Sequence, residues 1–136
     1  MKEKEQVQQK YIEVQVLEQQ LKQNQKNLEI MNQQMLELNA ISESLVELKK
    51  VKKGQEMLVP LGSGIFVKSE LKDNDEILTN VGADVVISKT STEAKTFIEK
   101  QTEFVTGMIS KTEQEMQSSV VKYQELKEEL QGMVEK

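Results

Sequence analysis

Three groups of polar residues have types and spacings that could support chemistry: Gly62-Ser63-Gly64, the run Asp73-Asn74-Asp75-Glu76, and the adjacent carboxylates Glu128 and Glu129. A glycine-rich loop can wrap its amides around a phosphate, but that cradle needs a Lys-Ser/Thr pair and a helix N-terminus behind it. Here β-branched residues follow Gly64, so the glycines read as a hairpin turn. Clustered acidic residues suggest calcium, yet an EF-hand loop opening at Asp73 would put Ile77 at its fifth position and lacks the glycine and closing glutamate. That run also reads as a turn. Glu128 and Glu129 stand among Lys and Gln with no pocket implied, whereas acid–base work needs burial or a neighbour that shifts the carboxyl pKa. They read as solvated surface.

The sequence has no Cys and no His, which removes disulfides, thiolate nucleophiles, imidazole chemistry and the usual zinc ligands. An enzyme is not expected, nor a metal or other cofactor. Charged residues form 30% of the chain and leave a formal net charge of -5, with Lys and Glu interleaved. That pattern offers no basic stripe, so nucleic acid is not an expected partner. The opening Met-Lys-Glu-Lys-Glu-Gln has no apolar run of signal-peptide kind. No stretch approaches the ~18 apolar residues of a membrane span. A cytoplasmic protein without a membrane partner is the expectation.

What remains to carry function is apolar, and its spacing is regular. From Val7, alternating steps of three and four give Val7, Lys10, Val14, Leu17, Leu21, Asn24, Leu28, Met31, Met35 and Leu38, polar only at Lys10 and Asn24. This is a coiled-coil seam. The same rule gives Ile98, Thr102, Val105, Ile109, Thr112, Met116, Ser119, Tyr123, Leu126, Leu130 and Met133, thinned in the middle by Thr102, Thr112 and Ser119. Each helix would run for roughly 45 residues, or about 70 Å. With no Trp and 4% aromatics, the composition favours long paired helices over a thick core. Two helices of similar length joined by a short middle imply an antiparallel pair.

The first helix is expected to reach Lys53, with Gly54 as its C-terminal cap and Lys49, Lys50, Lys52 and Lys53 at the negative end of its dipole. Near Leu38, Ile41, Leu45 and Leu48 two successive three-residue steps give a stammer. Thr90 and Glu93 form a capping box that starts the second helix close to Ser91. Gly107 is a soft spot inside it. The expected division is a coiled-coil helix over residues 1–54, a β region over 55–90 and a second coiled-coil helix over 91–136.

The β region holds four short runs bounded by turn residues, at 57–61, 65–71, 76–81 and 84–89, which read as two successive hairpins. Pro60 cannot donate to a ladder, so the first strand ends or bends there, or lies at an edge. Isolated hairpins are marginal in water, and their open edges need partners. Met57, Leu58, Val59, Leu61, Ile65, Phe66, Val67, Ile77, Leu78, Val81, Val85, Val86 and Ile87 are therefore expected at a subunit interface. Phe97 and Phe104, seven apart and off the seam, are expected to join them.

Apolar residues also leave the seam at the outer ends of the helices: Tyr11, Ile12 and Val16 on the first, Val120, Val121 and Val134 on the second. Antiparallel pairing would bring both sets together. Contiguous apolar surface there would suit the exposed hydrophobic segments of other proteins.

The most specific stretch is Leu58-Val59-Pro60-Leu61-Gly62-Ser63-Gly64-Ile65-Phe66-Val67-Lys68, followed by Glu70-Leu71, then Val81-Gly82-Ala83 leading into Val85-Val86-Ile87-Ser88-Lys89. It resembles prefoldin, in particular the alpha-type subunit, and the flanking helices extend the resemblance over essentially the whole chain. The fold implied is mostly α with a small β region: a long antiparallel two-helix coiled coil with two central β-hairpins that join a β-barrel in an oligomer. The resemblance implies an ATP-independent chaperone of two alpha-type and four beta-type subunits, a hetero-oligomeric hexamer. It would capture unfolded client proteins at the distal coiled-coil tips and deliver them to a group II chaperonin. Tyr11, Ile12, Val14, Val16, Leu126, Leu130, Met133 and Val134 are the expected client-binding residues. The residues from Gly132 onward are few, so a long mobile tail is not expected. A self-assembling coiled-coil scaffold or filament protein, without client binding, is the competing expectation.

Overall fold

A computed structural model describes residues 2–134. Two helices, α1 (Lys2–Lys50) and α2 (Ser91–Val134), enclose four strands in sequence: β1 (Glu56–Gly62), β2 (Ile65–Glu70), β3 (Ile77–Asn80) and β4 (Val86–Lys89). The chain divides into two compact units, one of Met1–Met35 with Phe104–Lys136 and one of Leu36–Glu103.

In the first unit α1 and α2 run antiparallel. Lys10 pairs with Glu129, the Tyr123 hydroxyl donates to Glu18 at 2.7 Å, and the Thr106 hydroxyl lies 3.8 Å from the Met35 sulfur. The α2 partner thus falls in number as the α1 residue rises. Every seam position named above on α2, from Ile98 to Met133, is buried or half-buried, and every described residue between them is exposed. Such a narrow stripe defines a two-helix seam, because a helix packed into a thick core would bury a wider face. Val14, Leu17 and Leu126 form its tightest cluster, with Tyr123 and Leu130 packed against them.

The α1 seam holds from Val7 to Leu38 but continues differently from the expectation. Ile41 is 43% exposed and Ser42 is half-buried. The regular four-residue step after Leu38 is kept, and the doubled three-residue step moves to Ser42, Leu45 and Leu48. Helix phase outweighs the hydrophobicity of one side chain.

The second unit holds both hairpins and the helix ends that flank them. β1 pairs with β2 and β3 with β4, both antiparallel, as two separate two-stranded sheets. β1 passes through Pro60 and reaches Gly62, with the register shifting between those residues so that Gly62 faces Ile65. The strand therefore bulges past Pro60 and does not end there. Ser63 and Gly64 both take positive φ, 52° and 80°, the requirement of a tight hairpin turn. The loop read as a turn, not a phosphate cradle, is one.

The second turn meets the same requirement with less suitable residues. Ala83 and Asp84 stand at φ 50° and 60°, closed by hydrogen bonds between Val81 and Val85 and between Val85 and Gly82. A left-handed L-residue costs about 1–2 kcal/mol. Ala83→Asn with Asp84→Gly, the pair such turns prefer, is expected to raise stability by about 1 kcal/mol in urea denaturation.

α1 ends at Lys50, three residues before the expected Lys53. Gly54 instead sits at φ 83° in a turn closed by the Gln55 amide donating to the Lys52 carbonyl. A distant side chain satisfies carbonyls in the last turn of α1 and just past it: the Asn74 amide donates to Lys49 O at 3.5 Å and to Val51 O at 3.2 Å. Beside it, Asp75 accepts from the Ser91 amide at 2.9 Å, at the start of α2. The acidic run between the hairpins thus clasps one end of each helix, which explains its polarity without an ion.

The capping box at α2 is reciprocal. The Thr90 amide donates to the Glu93 carboxylate and the Glu93 amide to the Thr90 hydroxyl, both at 3.1 Å. Thr90→Ala is expected to cost about 1 kcal/mol. The Thr90 amide, then its hydroxyl, hold the Glu93 carboxyl below its usual range. A lowered carboxyl pKa means that this contribution is present above the unfolded-state value, about 4.3, and is lost as pH falls through the folded-state value. Thermal unfolding of wild type and Glu93→Gln should differ at neutral pH and converge in acid.

Candidate functional site

At the end of the first unit where α1 begins and α2 finishes, the helices leave an open groove of about 710 Å³ on one side of their seam. Val14 and Leu130, seam residues, form its inner side together with Val7. Tyr11 and Val134, 57% and 73% exposed, add apolar surface towards solvent. Gln15 and Glu18 from α1 and Lys127 and Gln131 from α2 supply the polar lining. The Lys127 ammonium lies 5.0 Å from the Tyr123 ring centroid. Its pKa is raised, chiefly by the Tyr123 hydroxyl, with Glu18 adding a smaller effect.

The groove draws together four of the eight residues expected to bind clients: Tyr11, Val14, Leu130 and Val134. Val14 and Leu126 are only 6% and 8% exposed, so their surface is already taken by helix pairing. Met133 is half-buried at its seam position. Ile12 and Val16 are exposed but do not line the groove. At 3.6 residues per turn they lie on roughly the opposite side of α1 from Val14. Val7 and the polar residues were missed. Val7 was legible as one turn before Tyr11, but the four polar residues carry no signal until both helices are placed.

Further along the same unit the seam opens into a polar groove of about 770 Å³ lined by residues including Asn24, Ser118 and Ser119. Asn24 and Ser119 are two of the seam positions that carry polar residues. Every residue that lines this groove is polar or charged.

The hairpins show the opposite imbalance. Leu58, Leu61, Ile65, Phe66, Leu78, Val85 and Val86 are each at least half exposed, and Val59, Val67, Val81 and Ile87 nearly so. Met57 and Ile77 are half-buried. Phe97 is half-buried under the Lys89 ammonium, 5.4 Å from its ring centroid, while Phe104, in the first unit, is 69% exposed. Cross-strand pairs such as Val59 with Val67 on one face and Pro60 with Phe66 on the other leave both faces of the first hairpin apolar. Exposed apolar side chains thus crowd both hairpins.

Among the described residues no group of three or more acidic side chains is placed to hold a metal ion, and no helix is long and apolar enough to cross a membrane.

A family model described as Prefoldin subunit matches residues 17–136. The chain is 33% identical over 102 residues to the prefoldin subunit alpha of Pyrococcus horikoshii, covering 74% of this chain and 69% of that protein. It is 31% identical over 119 residues to the corresponding subunit of Methanococcus vannielii, covering 82% and 80%. Its fold is similar to that of a chain of filamentous PFD from Methanocaldococcus jannaschii, with a TM-score of 0.75 at 21% identity, covering 83% of this chain and 93% of that one. The family match begins at Leu17, so Val7, Tyr11 and Val14 precede it.

Proposed function

Because this chain belongs to the prefoldin family, a family of non-enzymatic chaperones, we propose that it is an ATP-independent chaperone subunit that captures unfolded polypeptides at the outer end of its coiled coil. It then passes them to a group II chaperonin. The observation that carries the capture reading is the apolar groove bearing exposed Tyr11 and Val134. Single contacts there are weak. Several arms of one assembly acting together convert them into useful avidity while each still releases readily, and no nucleotide is needed.

Assembly is the role of the hairpins. Their exposed apolar residues and open strand edges support pairing with beta-type subunits in the cytoplasm, two alpha-type with four beta-type, around a shared β-barrel. The expected client-binding and interface residues keep those roles here, except that Val14 and Leu126 act chiefly by holding the helices together and Ile12 and Val16, exposed outside the groove, contribute less.

The test is suppression of aggregation of a chemically unfolded client without ATP, by this chain alone and with a beta-type subunit, while light scattering follows assembly mass. Suppression by a hexamer-sized complex supports the proposal. A stable assembly that does not suppress aggregation would mark a scaffold instead.

A further inference from the structure

The shape and chemistry of the apolar groove narrow what it can hold. Its α1 side carries Val7, Tyr11, Val14 and Glu18, one residue per turn, so the groove follows the helix axis for about 16 Å. Its α2 side steps likewise through Lys127, Leu130 and Val134. Both sides are α-helix, whose N–H and C=O groups, the last turn of α2 apart, are engaged in their own ladders. An extended segment would find no backbone edge to pair with and would have to keep its own amides in water. A helical segment satisfies its backbone internally and presents apolar side chains every three or four residues, the spacing of the groove itself.

Charge narrows the occupant further. Glu18 accepts the Tyr123 hydroxyl at 2.7 Å, and its charge reaches Lys127 only as the smallest of the influences on that ammonium. Lys127 makes no salt bridge among the described residues and stands beside the groove as a cation. We propose that the groove binds amphipathic α-helical segments of client chains, about three turns long, with an acidic residue flanking the apolar stripe opposite Lys127. This rests on the capture reading and assigns it a substrate class.

Fluorescence anisotropy with labelled peptides tests it on the 136-residue chain. One peptide carries leucines at helical spacing with a flanking Glu; a second has the same composition with alternating leucines; a third replaces the flanking Glu with Lys. The helical peptide is expected to bind at least about tenfold more tightly than the alternating one. Lys127→Glu should shift preference from the Glu-flanked to the Lys-flanked peptide. Tyr11→Glu with Val134→Glu should abolish binding of both helical forms. Equal binding of the alternating peptide overturns the helical class while leaving capture intact, and an unmoved flank preference in Lys127→Glu overturns the charge assignment. If neither peptide binds, the helical class falls. Undiminished capture of an unfolded client by the double variant would then remove the capture reading as well.

Discussion

Tyr11→Ser with Val134→Ser is expected to weaken the grip of a single arm on an unfolded client by about 2 kcal/mol, roughly 30-fold. Complete burial of a large apolar side chain contributes about 1.5–3 kcal/mol, and a shallow open groove realises only part of that. Both residues are more than half exposed, so their loss leaves the cluster of Val14, Leu17 and Leu126 intact. Helicity by circular dichroism and assembly mass should therefore stay unchanged while client affinity falls. Ile12→Ser with Val16→Ser is the matched comparison, because those residues are similarly exposed but lie outside the groove. A smaller loss there assigns capture to the groove; an equal loss assigns it to general exposed hydrophobicity around the helix.

Phe66→Glu with Leu78→Glu is expected to reduce assembly by on the order of 1,000-fold or more, read as a shift from oligomer to monomer in sedimentation. One residue from each hairpin is changed, at 55% and 69% exposure. In the isolated chain the new carboxylates remain in water, so the helices should keep their circular dichroism. In an assembled interface each would be buried without a partner, at a cost of several kcal/mol. Two such penalties exceed what a moderate interface tolerates. Unchanged assembly would mean that neither hairpin face meets another chain.

The seams were legible because a coiled coil writes its geometry directly into spacing: Val7 through Leu38 and Ile98 through Met133 all occupy the stripe that spacing alone selects. Thr90 and Glu93 were legible for the same reason, since a capping box is a contact three residues long. Ile41 is misleading because its hydrophobicity points to the seam while helix phase gives the position to Ser42. The end of α1 at Lys50 was hidden because the Asn74 side chain that caps it comes from a remote turn. The groove was hidden in part for a similar reason. Spacing shows that Tyr11, Ile12 and Val16 leave the seam, but which of them shares a side with Leu130 and Val134 depends on the rotation of both helices. Exposure of the hairpin residues was legible because strands so short and so few cannot bury their own apolar side chains.

Photo-cross-linking tests the central claim most directly. A photoreactive residue is placed in turn at Tyr11, Val134 and Leu36, the last being 66% exposed on α1 but remote in sequence from the groove residues. The assembled protein is then mixed with a chemically unfolded client and irradiated. Adducts concentrated at positions 11 and 134, with little at 36, are the expected result. Equal adducts at position 36, or none at 11 and 134, would contradict capture in the groove.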